Sequence, residues 1–128
     1  MRKFIFNKLV RDDIPEHMKT QGESVDVRQL TPEEYLRELI KKIGEEAVEL
    51  ASANNLKIEE VADLQELLDC TAVALGITKE QVVEVQARKR AEYGSFIGRQ
   101  YIYTVEVPDG NPWISHLEAN PQRYPEVS

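Results

Sequence analysis

Two acidic residues occupy positions where one amphipathic segment should be apolar. With about 100° of rotation per residue and Leu39 set at zero, Ile43 falls at about 40° and Leu50 at about 20°. Glu46 falls at about −20°, which is inside the apolar stripe. Glu49 follows at the i, i+3 spacing that makes two helical side chains neighbours. The spacing therefore predicts a pair of carboxylates at the edge of a helix core.

A second amphipathic segment carries another pair of acids. With Val61 set at zero, Glu60 falls at about −100° and Asp63 at about −160°. These two positions lie on either side of Leu67 at about −120°, so both acids border an apolar face. If the two segments pack as antiparallel helices, all four carboxylates come together near the open end of the pair.

Four converging carboxylates require compensation. Burying like charges costs several kcal/mol or forces protonation unless a cation neutralises them. A site made only of oxygen ligands selects a hard ion, which here means Mg²⁺ or alternatively Mn²⁺. The competing interpretation is a solvated acidic face with i, i+4 partners such as Glu38 with Lys42 and Lys41 with Glu45. We adopt that interpretation for Glu33, Glu34, Glu38 and Glu66.

Start and stop signals define three helices. Thr31 and Glu34 form a capping box around Pro32, and the first long helix runs from there to about Ala53. After a tight connection at Asn54-Asn55, a second helix spans about 58–75 and ends at Gly76. A third helix begins after Thr78, with Gln81 completing a second capping box, and runs to Tyr93-Gly94.

The segments outside these helices are expected to be extended or irregular. Apolar and aromatic residues at 3–10 predict a short strand or an extended arm, and the alternation at 101–107 predicts a strand that can pair with it. Pro15 and Gly22 indicate a loop, and the proline-containing stretch 108–128 an irregular tail. We therefore expect one domain at 1–107, followed by the tail 108–128.

Composition excludes several classes of protein. The chain has 128 residues and a net charge of −7, which fits one globular domain and disfavours binding to nucleic-acid polymers or anionic membranes. The excess charge lies at 33–69, where there are 11 acids and 4 bases. The single cysteine, Cys70, excludes an internal disulfide and favours a cytoplasmic location, and no apolar stretch is long enough to span a membrane.

The acidic motifs resemble those of a known superfamily. Glu45-Glu46-Ala47-Val48-Glu49 followed by Glu60-Val61-Ala62-Asp63 resembles the EExxE and ExxD motifs of the all-α, MazG-like nucleoside triphosphate pyrophosphohydrolases. The run 42–49 is also similar to the related phosphoribosyl-ATP pyrophosphohydrolases, and 7–12 resembles the N-terminal signature of a KLVRD-type subgroup. The resemblance covers residues from about 5 to 105.

This resemblance implies a metal-dependent hydrolase. The expected reaction converts a nucleoside triphosphate or related nucleotide to the monophosphate and pyrophosphate by attack of water. Magnesium would polarise the phosphoryl oxygens and lower the pKa of that water. The implied metal ligands are Glu46, Glu49, Glu60 and Asp63. Glu45 and Glu46 are the implied catalytic residues, with Glu45 assisting a further metal or orienting the water.

A triphosphate also needs cationic partners from the protein. The candidates for substrate binding are Lys8, Arg11, Arg88, Lys89 and Arg90, of which Lys8 and Arg11 lie in the matching motif. For Arg88, Lys89 and Arg90 the competing role is favourable placement of cations near a helix C-terminus.

The fold class that follows is all-α. Two long helices and a third do not close a bundle, so we expect an antiparallel helical bundle completed by homodimerisation or a higher oligomer, with a small strand pair from the two terminal segments. One alternative function is the phosphoribosyl-ATP pyrophosphohydrolase step of histidine biosynthesis. An alternative of another class is a non-catalytic helical dimer that binds nucleotides or a protein partner.

Overall fold

The computed structural model describes residues 1–52 and 57–128, and these residues form helices and connecting segments. The helices are α1 (Ile14–Thr20), α2 (Pro32–Ser52), α3 (Lys57–Ala74), α4 (Lys79–Tyr93) and α5 (Trp113–Glu118). The all-α class is thus confirmed for the described residues, and each of the three long helices begins and ends close to its predicted bounds. The predicted end at Ala53 and the Asn54-Asn55 connection lie outside the described residues.

Both predicted capping boxes are formed. At the start of α2, the Thr31 amide donates to Glu34 Oε1 at 3.0 Å and the Glu34 amide donates to Thr31 Oγ1 at 3.3 Å. Thr78 and Gln81 repeat the arrangement before α4, at 2.8 and 3.1 Å. These reciprocal bonds satisfy helix amides that have no partner within the helix.

An arginine strengthens the α2 cap. The guanidinium of Arg28 donates to Glu34 Oε1 at 3.1 Å and to Oε2 at 2.8 Å. These bonds, together with those from Thr31, lower the pKa of Glu34 to about 2. Glu34 is therefore fixed at the helix start and remains ionised at neutral pH.

Helices α2 and α3 pack against each other as an antiparallel pair. Glu46 in the second half of α2 lies beside Glu60 near the start of α3. Tyr35 in the first turn of α2 lies beside Cys70 near the end of α3. Leu39 and Leu67 are the buried apolar residues of this pair. Gly76, at φ +72°, adopts the left-handed conformation predicted after α3, which ends that helix without a Cβ penalty.

The described residues contain no β-strand, so the predicted strand pair has no support among them. Segments 3–10 and 101–107 have no ladder of backbone hydrogen bonds, and Ile5 and Ile102 are 89% and 80% exposed. The Tyr101 and Tyr103 rings meet edge to face at 5.2 Å, as i, i+2 side chains of an extended chain do. Alternation of residue types alone therefore does not establish a strand, and Asn7 within the first segment has φ +47°.

Two short helices occupy segments predicted to be irregular. Helix α1 lies in the segment predicted as a loop, with Pro15 in its first turn, where a missing amide costs nothing. Helix α5 lies in the predicted tail, and Asn111 Oδ1 accepts a hydrogen bond of 2.9 Å from the Trp113 amide at its start.

The chain divides into two compact units, Met1–Glu92 and Tyr93–Ser128. The first unit holds α1 to α3 and nearly all of α4, and the second unit holds α5. In the second unit, the ring of His116 on α5 lies 5.9 Å from the ring of Tyr124, which follows that helix. The domain boundary expected at residue 107 stays a prediction. Among the described helices none combines the length and the apolar character that crossing a membrane requires.

Candidate functional site

Three glutamates converge where α2 faces the start of α3. One carboxylate oxygen from each of Glu46, Glu49 and Glu60 lies within 4.8 Å of the others. The two α2 residues are one turn apart, and the antiparallel packing brings the first turn of α3 to the same place. The sequence prediction that acids of both helices meet is therefore confirmed for these three residues, which we call the glutamate cluster.

Burial makes the cluster chemically unusual. Glu46 is only 8% exposed, Glu60 is half-buried and Glu49 is exposed. Glu46 Oε2 and Glu60 Oε2 are buried without a hydrogen-bond partner among the described residues. Ionised carboxylates accept hydrogen bonds and cannot donate them, so neither residue can satisfy the other while both are charged. An uncompensated buried acceptor is costly and calls for a proton or a cation.

The electrostatics at Glu46 follow from this arrangement. Burial, followed by the facing carboxyl of Glu60 and the charges of Glu49 and Asp63, raises the pKa of Glu46 to about 7. Lys42 opposes the rise, but its Nζ lies 3.9 Å from Glu46 Oε1, at the long limit of an ion pair. One lysine therefore compensates the cluster only in part.

The glutamate cluster fits a hard divalent cation. Its donors are carboxylate oxygens, which Mg²⁺ and Mn²⁺ prefer over the nitrogen and sulfur ligands typical of zinc. A cation bound by these carboxylates would offset the cost of the two buried oxygens that have no partner among the described residues, and it would favour the ionised form of Glu46. The cluster is therefore a candidate cation site by its ligand chemistry as well as by its spacing.

Asp63 lies beside this cluster but outside the group of three. Its charge contributes to the raised pKa of Glu46, which places it close to the cluster. Its Oδ1 accepts a 2.7 Å hydrogen bond from the Arg11 guanidinium, and this contact raises the pKa of Arg11. Of the four predicted metal ligands, the structure thus brings three together and gives the fourth an arginine partner.

The other predicted site residues lie outside the group of three. Glu45 is half-buried on α2. Lys8 is exposed on the N-terminal segment. In the part of the chain that the structure describes, no ion pair joins Lys8 to an acid, and the same holds for the exposed α4 residues Arg88, Lys89 and Arg90. Their assignment to phosphate binding stays a prediction.

Two contacts at the site were not predicted from the sequence. Lys42 lies 3.9 Å from Glu46, which follows it at the i, i+4 spacing, whereas the sequence also offers Glu38 as a partner of Lys42 at the same spacing. Arg11 and Asp63 are 52 positions apart, so only the fold brings them together.

Comparisons with known proteins give no match: no protein-family model, curated protein or solved structure matches this chain. The fold and the site define a helical protein with a partly buried carboxylate cluster, and its resemblance to the MazG-like superfamily remains a proposal.

Proposed function

We propose that the protein is a Mg²⁺-dependent nucleotide pyrophosphohydrolase of the MazG-like kind, which releases pyrophosphate from a nucleoside triphosphate or a related nucleotide. The observation that carries the proposal is the pair of buried oxygens, Glu46 Oε2 and Glu60 Oε2, that lack a partner among the described residues. They belong to the helices that carry the EExxE and ExxD motifs, so the structural feature and the sequence resemblance point to the same residues.

The roles of the residues follow from their positions. Glu46, Glu49 and Glu60 would hold the cation, and Asp63 is the further acid available at its edge. When bound, Mg²⁺ would supply charge neutralisation at the phosphoryl oxygens and acidify the attacking water. Glu45 directly precedes the buried Glu46 in the sequence, and we propose that Glu45 orients the attacking water.

Cationic side chains are proposed to hold the phosphate groups. Arg11 already lies beside Asp63 at the edge of the cluster, so we propose that its guanidinium contacts a bound phosphate group. Lys8 lies three residues earlier on the same exposed segment. Arg88, Lys89 and Arg90 are further candidates, since all three are exposed on α4.

The proposal includes a homodimer. Helix α4 has no buried residue although it carries several valines, and Val48 and Val61 are 68% and 54% exposed on α2 and α3. Amphipathic helices that leave their apolar residues in water are stabilised by a further layer of helices. A second copy of the chain would provide that layer.

The proposed location is the cytoplasm, because the sequence has a single cysteine, Cys70, and so cannot form an internal disulfide.

Release of pyrophosphate from a panel of nucleoside triphosphates and phosphoribosyl-ATP, with and without Mg²⁺, tests this function. E46Q and E60Q should abolish release. E59Q is the matched control, because Glu59 is the exposed neighbour of Glu60 and lies outside the group of three. A wild-type protein that binds Mg²⁺ without turning over any nucleotide would instead be a non-catalytic binding protein. Turnover restricted to phosphoribosyl-ATP would assign the histidine-pathway reaction.

A further inference from the structure

Arg11 joins the N-terminal segment to the edge of the glutamate cluster. Its guanidinium donates to Asp63 Oδ1 at 2.7 Å across 52 positions of sequence. Leu9 and Val10 just before it are half-buried, and the Arg11 carbonyl accepts a 3.1 Å hydrogen bond from the Ile14 amide. The contact between Arg11 and Asp63 therefore links the residues before α1 to α3.

Asp63 also lies near Glu46. Asp63 follows Glu60 at the i, i+3 spacing, so both side chains project from one face of α3. The negative charge of Asp63 is felt at Glu46. Asp63 can therefore serve either the arginine or a divalent cation in the cluster, and these two partners carry charge of the same sign.

The contact with Arg11 is the weaker of the two interactions. The side chains of Arg11 and Asp63 are 58% and 40% exposed, and an ion pair this open to water contributes little to the free energy of folding. A divalent cation held by several carboxylates gains more binding free energy from one additional carboxylate than the exposed arginine does. The cation also repels a guanidinium placed beside it. Cation binding should therefore displace the arginine.

We propose that Arg11 is an exchangeable counter-ion of Asp63: a divalent cation that binds the cluster takes over Asp63 and releases Arg11 with the N-terminal segment around it. The inference rests on the proposed function for the cation site. Release frees the guanidinium donors at the edge of the site, where they are available for phosphate oxygens. The N-terminal segment, which resembles the KLVRD signature, is then held to α3 when the cluster has no cation and released when a cation binds.

Binding of Mn²⁺ alone, followed by electron paramagnetic resonance, tests the exchange in wild type, R11Q, D63N and R11Q/D63N. Because R11Q removes the competitor, it should tighten Mn²⁺ binding about 1.4- to fivefold, the fold-change that corresponds to an exposed ion pair. The same substitution should change nothing in the D63N background, since the competition acts through that carboxylate. K3Q is the matched control, because it removes an exposed charge from the same N-terminal segment at a residue with no role at the site, and it should leave Mn²⁺ affinity unchanged.

Hydrogen exchange of the wild type gives a second readout. The backbone amides of residues 9–14 should exchange faster when Mg²⁺ is added, and this difference should vanish in D63N. Equal Mn²⁺ affinity in wild type and R11Q would overturn the proposal. So would an R11Q effect that persists in D63N, because it would be a general effect of charge. Mn²⁺ binding that shows the exchange without any nucleotide turnover would leave this inference standing and remove only the hydrolase function.

Discussion

Glu46 is a carboxylate at a position that helix periodicity assigns to the core, and the structure buries it there. Its location was predictable because burial on an amphipathic helix depends only on angle about the axis. Its chemistry was predictable only in part. The facing carboxyl of Glu60 belongs to another helix, and the distance between the two depends on how α2 and α3 pack.

The pH dependence of stability tests the environment of Glu46. Because the pKa of Glu46 is raised to about 7, the folded state holds its proton more tightly than the unfolded state, for which the value is 4.5. Without divalent cations, this contribution to the free energy of unfolding is present below about pH 4.5 and is lost as the pH rises through about 7.

The neutral variant E46Q should therefore be more stable than wild type at pH 8, by on the order of 2 kcal/mol, and nearly equal to it at pH 4.5. Urea unfolding in EDTA at both pH values measures the difference. The added amide can donate to Glu60, which removes one of the unpartnered acceptors. A stability difference that is the same at both pH values would contradict the buried, protonated state of Glu46.

At the scale of elements, the long helices were predictable from local signals and the short ones were not. Capping boxes at Thr31 and Thr78 and a left-handed glycine at Gly76 mark boundaries by bonds made within a few residues. Helices α1 and α5 have seven and six residues, too few for a periodic apolar stripe to show. The strand pair expected from 3–10 and 101–107 has no support among the described residues, because pairing depends on a distant partner rather than on alternation.

The α2 cap should contribute measurably to stability. T31A removes the Oγ1 acceptor of the Glu34 amide and should lower the free energy of unfolding by about 1 kcal/mol. T104A is the control, because Thr104 is exposed in the unpaired segment and should change stability little. Denaturant unfolding of both variants checks this. Equal effects of the two substitutions would show that the capping box does not stabilise α2.

Two glycines give opposite expectations for the same substitution. Gly76 has φ +72°, so G76A should destabilise the protein by about 1 kcal/mol although a Cβ there would have open space. Gly44 lies within α2, where a Cβ also meets nothing within 4 Å, and G44A should stabilise by about 0.5–1 kcal/mol. Thermal unfolding distinguishes the two. Destabilisation by G44A would indicate that its face of α2 is covered by another chain.

At the scale of the whole molecule, the described residues leave much apolar surface in water. Leu39, Leu67 and Glu46 are the buried residues among those described, and every residue of α4 is at least partly exposed. The sequence already predicted this shortage, since two paired helices and a third cannot cover their own stripes. Which faces would meet a second copy in the proposed dimer depends on surface complementarity, which helix periodicity does not specify.

Sedimentation velocity over a range of concentrations tests the dimer. We expect a species with twice the mass of one chain, and we expect V83E on α4, where Val83 is 54% exposed, to shift it toward the monomer if α4 lies in the interface. K79Q, at the start of the same helix, is the polar control and should leave the mass unchanged. A stable, folded monomer at micromolar concentration would contradict the dimer.

Pyrophosphate release by wild type and by E46Q decides whether the glutamate cluster is a divalent-cation site for hydrolysis of nucleotides. We predict Mg²⁺-dependent release from at least one nucleotide, lost on adding EDTA and lost in E46Q, with an unchanged helical circular dichroism spectrum showing that E46Q stays folded. Absence of release from every nucleotide tested, or equal rates for wild type and folded E46Q, would contradict the claim.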